Sequence, residues 1–374
     1  MKIGLMVARL EPGGAERQLM RLAVGLARQG HRVEVLCYRG ASAYDAELAA
    51  GGVVVRTAES RGRLEHVALT RRWFETFTPD VVHAFMKRAS GVAVLARRSH
   101  IPCRILASDF STATYGRRKP SLWAALCLFG LADGVVTETD RNRRSLERLA
   151  PWLRGRVAVV RNGLELARFQ PPATPPPMSP LRFCVVGSVY EVKNPERVVE
   201  AVGHLYRRRG DVFRLDWYGR LGLQGDGHPA AAYHRARALS ERLGVERLVT
   251  FHGEIREVEH CYQGAHALIH ASLQEGFPNA VAEGMACGLP LLVGQVSDLP
   301  LIVRHADNGI IFDETDPESI AEAMERMLDC PAVLRESMGH RSRQLAIDWF
   351  GEARFIEDYL GLYTRLLGGI DDGR

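Results

Sequence analysis

A doubly wound α/β fold, occurring twice along the chain, is the architecture this sequence predicts. Three observations predict it. Short apolar, β-branched runs alternate with amphipathic helical stretches almost throughout. Two distant segments open with the same strand, glycine-containing turn and helix. Between them lies QPPATPPPMSP, residues 170–180, with six prolines in eleven residues. Proline fixes φ and lacks the amide donor, so neither a helix nor a central strand passes through such a stretch. At 374 residues the chain exceeds one typical core and fits two domains.

The first opening reads KIGLMVA, then RLEPGG, then the helix AERQLMRLAVGLARQG. The second reads LRFCVVG, then SVYEVKN, then PERVVEAVGHLYRRRG. Each helix runs into a glycine suited to a C-terminal cap. In the second, Asn194 suits the N-cap and Pro195 the first helical position. Strand-like runs follow in order: RVEVLCY, DVVHAF, RILAS, GVVTET and VAVVRN, then RLDWYG, LVTFHG, ALIHAS, LPLLVG and GIIF. From Trp349 to Leu367, Phe355, Tyr359, Leu362, Tyr363 and Leu366 recur at helical spacing, which predicts one long amphipathic helix. The expected layout is a first domain over 1–169, a stiff linker over 170–180, a second domain over 181–345 and a terminal helix over 346–374.

Composition is that of a soluble globular protein, 46% apolar and 25% charged. MKIGLMVARL reads as a first strand, with no small-residue cleavage site after it. The longest apolar stretch, SLWAALCLFGLADGVV, falls short of the roughly 20 residues that span a bilayer and contains Asp133, so a buried or interfacial helix is expected. Seven cysteines stand singly, with no C-x-x-C; they fit small buried hydrophobes in a reducing, cytoplasmic setting better than metal or redox chemistry. Charge is uneven. Residues 1–170 carry 28 Lys and Arg against 15 Asp and Glu, net +13, and the remainder 21 against 29, net −8. The basic half fits ordinary solvation or an anionic partner. Nucleic acid is the weakest such partner, because the basic half lacks interleaved aromatic platforms and any recognised motif.

Chemistry is sought in loops beyond strand ends, where open parallel sheets bind ligands. The richest is SLQEGFPNAVAEGMACG, residues 272–288, after the strand-like HALIHA. Pro278 fits the first helical position, which leaves the amides of Asn279, Ala280 and Val281 and the helix dipole facing an anion. Gly276 removes a Cβ near that point. Glu275 stands beside it and Glu283 two turns into the helix, both able to accept bonds from vicinal hydroxyls. A phosphate between two polyols, as in a nucleotide sugar, satisfies that pattern; so does a pair of surface glutamates. A second loop runs from Gly187 and Ser188 to Lys193, Asn194 and Pro195. On spacing alone Lys193 fits either a phosphate-facing cation or an exposed loop lysine. A third, Glu11 to Glu16, sets Gly13 and Gly14 at a helix start, as a close-approach turn or a plain tight one.

Taken together, these loops resemble the retaining GT-B glycosyltransferases, in particular the large E-x(7)-E family that contains sucrose synthases, sucrose-phosphate synthases and bacterial lipid-linked sugar transferases. VVRNGLELARF is similar to that family's end of the first domain, and SVYEVKNPERVVEAV to its phosphate-loop segment. VTFHGEIREVEHCYQGAHALIHASLQEGFPNAVAEGMACGLPLLVGQVSDLP resembles its signature block. The resemblance implies two Rossmann-like domains facing across a cleft, with the terminal helix returning to the first. It implies Glu275 at the donor sugar, with Phe277, Pro278, Asn279 and Ala280 beside sugar and phosphate. Lys193, with Gly187 and Ser188, is implied at the leaving diphosphate, and Gly13 and Gly14 in a loop closing over it. Glu283 is implied at the ribose, and Ile255 and Arg256 around the nucleobase. There are departures. Ser188 stands where the family usually has Arg, which leaves Arg17 or Arg220 to supply that charge. Asp109 in LASDFS stands nearest the position of a catalytic-region His. His83 fits an acceptor contact or a satisfied core histidine. After SDLP, Leu301 replaces a frequent Glu.

The expected function is transfer of a sugar from a nucleoside diphosphate donor, a UDP-sugar favoured, to a hydroxyl acceptor with retention. Glu275, Lys193 and Asp109 are the catalytic candidates, and the acceptor is a lipid-linked or glycan precursor. No D-x-D is present, which fits a metal-independent enzyme without a cofactor. Two other readings stay open: a sugar-nucleotide epimerase or hydrolase, which acts on donor alone, and a non-catalytic nucleotide-sugar-binding subunit, favoured by Ser188 and the missing His. RRKPSLWAALCLFGLA joins a basic cluster to Trp123 and fits either peripheral contact with an anionic membrane at the cytoplasmic face or a core helix beside a solvated loop.

Overall fold

The computed structural model describes residues 1–11, 13–38, 44–57, 62–110, 120–177, 179–222 and 230–368. It separates into two compact units, Met1–Gly163 with Glu352–Arg374, and Leu164–Gly351. In the first unit strands and helices alternate: β1 (Lys2–Val7), α1 (Gly14–Arg28), β2 (Arg32–Cys37), α2 (Asp45–Ala50), β3 (Val54–Thr57), α3 (Arg63–Phe77) and β4 (Val81–Ala84). Then come α4 (Met86–Ala96), β5 (Arg104–Ser108), α5 (Pro120–Gly130), β6 (Gly134–Thr137), α6 (Asp140–Leu149) and β7 (Val157–Val159). All described strand pairs are parallel, in the order β3-β2-β1-β4-β5-β6-β7.

The second unit repeats the scheme with β8 (Leu181–Val186), α7 (Pro195–Arg209), β9 (Phe213–Tyr218), α8 (Ala231–Arg242), β10 (Val249–Gly253), α9 (Glu259–Gln263) and β11 (Ala267–His270). It continues through α10 (Asn279–Ala286), β12 (Leu291–Val293), α11 (Leu299–Ala306), β13 (Gly309–Ile311), α12 (Pro317–Asp329) and α13 (Ala332–Phe350). Its sheet runs β10-β9-β8-β11-β12-β13, again parallel. Parallel sheets carry a core on each face, and both sheets do so here. Phe183, Leu215 and Trp217 belong to one core of the second unit, Cys184, Leu268 and Leu291 to the other. In the first, Met6, Val82 and Ile105 face one core, and Leu5, Val81 and Leu106 the other.

Three expected boundaries move. The chain divides at Gly163 and Leu164, ahead of the proline-rich segment, because Leu164 and Phe169 are already buried in a second-unit core. Residues 170–180 therefore belong to the second unit. The expected terminal helix is two: α13 ends at Phe350, Gly351 adopts φ −56° and ψ 138°, and α14 (Glu352–Gly368) begins afresh. A bridge from Leu164 to Gly351 holds that extended residue in place. The α14 portion belongs to the first unit, where Phe355, Tyr359 and Tyr363 are buried beside Leu5 and Val81. The apolar stretch from Ser121 resolves into α5, a turn and β6. Among the described residues no helix is long and apolar enough to cross a membrane. Pro12, Met178 and the basic cluster Arg117, Arg118 and Lys119 lie outside the described residues.

Candidate active site

Strand order reverses direction between β8 and β11, so the loops leaving their carboxyl ends diverge and open a crevice. The sequence places its most promising loops at these two ends. After β8, Gly187 sits at φ 152° with its amide bonded to the Tyr218 carbonyl at 2.8 Å, and its carbonyl accepts Trp217 Nε1 at 2.8 Å. Gly219 lies so close that any Cβ there would run into the Gly187 carbonyl. Val189 then donates to the Arg220 carbonyl at 2.7 Å, and a 3-10 turn, Glu191–Lys193, delivers the lysine.

Asn194 ends that turn in the left-handed region, φ 64° and ψ 41°. It precedes Pro195 as expected, but its side chain makes no helix cap. Instead Nδ2 donates to the carbonyls of Ala271, at 3.1 Å, and Glu314, at 2.7 Å. Leu273 N–H reaches the Val192 carbonyl at 2.8 Å. The loops beyond β8, β11 and β13 are thus tied together by one buried amide and one backbone bond.

This lacing sets Lys193 Nζ against Glu275 Oε1 in an ion pair. His270, buried at the end of β11, brings Nε2 to 3.2 Å from the same oxygen, out of line for a well-directed hydrogen bond. Burial opposes ionisation of Glu275, but the contact with His270 and the charge of Lys193 outweigh it and hold the carboxyl well below its usual range. Burial also lowers the His270 pKa, against the pull of Glu275. The chemistry available is an ionised carboxylate for hydroxyl donors and an ammonium for an anion, side by side at a switch point.

Pro278 is the N-cap of α10, one position earlier than expected. The Val281 amide donates to the Pro278 carbonyl at 3.0 Å, so it is used within the turn rather than offered to an anion. Asn279 and Ala280 open the helix, and Phe277 stacks on Phe350 with centroids 5.0 Å apart. The Gly276 carbonyl accepts Ser297 Oγ. Glu283, the fifth residue of α10, is buried about one turn in and accepts the Tyr262 hydroxyl at 2.7 Å. Beyond β10, Ile255 is partly buried and Arg256 exposed; the Arg256 carbonyl takes Arg168 Nη2 at 3.2 Å while that guanidinium pairs with Glu259 at 2.8 Å. Arg220, a candidate replacement for the charge absent at Ser188, pairs with Glu254 at 2.9 Å. Leu301 is exposed on α11.

The remaining candidates lie in the first unit. Gly13 caps α1 and Gly14 begins it, with the Glu16 carboxylate filling the space a Cβ on Gly13 would need. Asp109 is fully buried beyond β5, with Lys87 Nζ 3.1 Å away and the Thr137 hydroxyl on its carbonyl at 2.8 Å. His83 is a correction. It reaches no surface: Nδ1 meets the Tyr363 hydroxyl at 2.9 Å, Phe85 and Tyr359 pack around it, and burial pushes its pKa down to about 3. An acceptor-facing role does not fit a core histidine under α14. Sequence reasoning also missed the roles of His270, Asn194's side chain, Lys87 and Tyr262; of these, only Lys87, a charge in the first turn of the helix that follows β4, carried a positional signal. Among the described residues no group of three or more His, Cys, Asp or Glu is placed to hold a metal ion.

Comparison with known proteins bears on the fold of the two units. The model of glycosyl transferases group 1 matches residues 168–345, and that of Glycosyltransferase Family 4 matches residues 12–168. The D-inositol 3-phosphate glycosyltransferase of Streptomyces bingchenggensis is 28% identical over 231 residues, 56% of this chain and 48% of that one. Its namesake from Acidothermus cellulolyticus is 30% identical over 250 residues, 63% and 54% respectively. The chain thus spans about half the length of the curated relatives it matches. Among solved structures, HepE of Anabaena in complex with UDP superposes with a TM-score of 0.84 at 16% identity, covering 98% of this chain and 100% of that one. Sucrose-phosphate synthase of Thermosynechococcus elongatus gives 0.79 at 18% identity, covering 99% and 100%. Between them, the two glycosyltransferase family models match residues 12–345, and both units have the parallel-sheet, Rossmann-like fold of GT-B glycosyltransferase structures.

Proposed function

We propose that the chain is a retaining, metal-independent glycosyltransferase of the E-x(7)-E type, which moves a sugar from a UDP-sugar to a hydroxyl on a lipid-linked or glycan-precursor acceptor. One observation carries the reading: Lys193 and Glu275 form a partly buried ion pair at the switch point, with Glu283 eight positions further along the same segment. The donor sugar's hydroxyls would be held by Glu275, the leaving diphosphate by Lys193 beside Gly187 and Ser188, the ribose by Glu283 and the base by Ile255 and Arg256. Preorganised charge at a departing phosphate is worth orders of magnitude in rate. The leaving phosphate itself would take the acceptor proton, since this reading assigns no side-chain nucleophile. The unit of Leu164–Gly351 would take the donor and the other unit the acceptor. Asp109 would act through Lys87, whose ammonium is the half of that pair with exposed surface, 21% against 0%. Structures of HepE with UDP and with UDP-glucose lend support to the choice of base. The chemistry belongs on the cytoplasmic side, where nucleotide sugars are found in this reading.

The test is a panel of UDP-, GDP- and ADP-sugars, read by thermal shift and then by transfer to candidate acceptors. Lys193→Ala and Glu275→Gln are expected to lower kcat/KM by roughly 10²–10³ with the circular dichroism spectrum unchanged. Near-parent turnover in both variants would falsify the assignment.

A further inference from the structure

An apolar, positively flanked surface on the first unit has no part in the site described above. α5 buries Leu122, Leu126 and Phe129 and turns its other side outward. There Trp123 is 43% exposed, Leu131 60% and, from the 3-10 turn after α6, Trp152 44%. The two indoles lie with centroids 6.4 Å apart, and Trp152 is fastened by a bond from Nε1 to the Leu126 carbonyl at 3.2 Å. Cys127 is exposed on the same helix, and Leu95, on α4, is also exposed. Soluble surfaces scatter single apolar residues; two adjacent tryptophans, with Leu131 just past the end of α5, form a patch that asks for a partner.

The charges around it say which partner. Arg156 is exposed and caps α5 through the Gly130 and Ala132 carbonyls, and Arg154 is exposed two residues beyond Trp152. Arg97 Nη2 holds the Leu131 carbonyl at 2.8 Å. Asp133, just beyond Leu131, is already shared by Arg97 at 2.5 Å and Arg104 at 3.0 Å. The first unit as a whole carries 30 Lys and Arg against 19 Asp and Glu, net +11, whereas the second is net −6. We propose that α5 and the Trp152 turn form a docking surface for an anionic lipid bilayer, with Trp123, Trp152 and Leu131 entering the headgroup region and Arg154 and Arg156 meeting lipid phosphates. Indoles suit that depth because one edge is apolar and the N–H finds a polar partner. Guanidiniums add attraction that fades with salt. The surface does not depend on which donor or acceptor the enzyme uses.

The test uses the full chain and sucrose-loaded vesicles of phosphatidylcholine, with or without 30% phosphatidylglycerol as an experimental choice, read by co-sedimentation. Partitioning onto the anionic vesicles should exceed that onto neutral ones by about tenfold or more and weaken with added salt. Trp123→Ser combined with Leu131→Ser should lower it by at least about tenfold. Arg154→Glu, at an exposed position, should lower it on the order of tenfold without touching the apolar patch. Melting temperatures near the parent's keep loss of fold from mimicking loss of docking. Equal partitioning onto both vesicle types, or a serine double variant that partitions like the parent, overturns the proposal. So does sedimentation velocity showing a dimer that the serine variant dissociates, because the patch would then be a seat for a second copy of the chain.

Discussion

Replacing Asn194 separates two effects that its one position combines. Asn194→Gly keeps the left-handed backbone accessible but removes the Nδ2 bonds to Ala271 and Glu314. At a net of about 0.5–1.5 kcal/mol each, the loss is roughly 1–3 kcal/mol. Asn194→Ala removes the same bonds and also forces a β-carbon into φ 64°, which costs a further 1–2 kcal/mol or so. Alanine should therefore be about 1 kcal/mol or more worse than glycine, although glycine has the more flexible unfolded chain. Urea denaturation followed by circular dichroism, with the slope held common, measures both differences. Transfer should fall in both variants, since the amide ties the loop of Lys193 to the strand end before Glu275. The reasoning is refuted if the glycine variant lies within about 0.5 kcal/mol of the parent, or if alanine and glycine are equally stable.

Two further expectations concern single residues. His83 has a pKa of about 3 in the fold against 6.5 when free, so the unfolded chain binds the extra proton first and stability is lost as pH falls below 6.5. Between pH 7.5 and 5 the parent should lose about 2 kcal/mol more than His83→Gln, and parallel pH profiles for the two would reject this. Gly219→Ala sets a methyl against the Gly187 carbonyl from a φ of 146°. A loss of roughly 2–4 kcal/mol, or about 5–10 °C in Tm, is expected, and an unchanged melting curve would show that the loop gives way freely.

The alternation of strand and helix was legible because parallel strands are buried on both faces and so read as continuous apolar runs. Lys193 and Glu275 were legible as charges in loops after such runs. Their contact was not, since 82 residues separate them and only the sheet order makes them neighbours. His270 hid inside a strand-like run, where one polar side chain does not alter the pattern. Asn194 announced itself as a cap, and the long-range carbonyls it reaches, 77 and 120 residues away, leave no local mark. Apolar spacing runs straight through Gly351, and glycine is tolerated in helices, so the break there depends on the bridge to Leu164. The prolines suggested a boundary, yet burial of Leu164 and Phe169 decides where one unit begins.

Because Phe355, Tyr359 and Tyr363 come near the end of the chain yet help to enclose the first sheet, order of synthesis matters. A ribosome releases all of Leu164–Gly351 before the last piece of the earlier unit emerges. The middle unit can close as soon as its own residues are out, whereas the one begun first must wait with Leu5, His83 and their neighbours uncovered. Any truncation before Glu352 would leave that nascent sheet open for good, a natural substrate for chaperones and proteases.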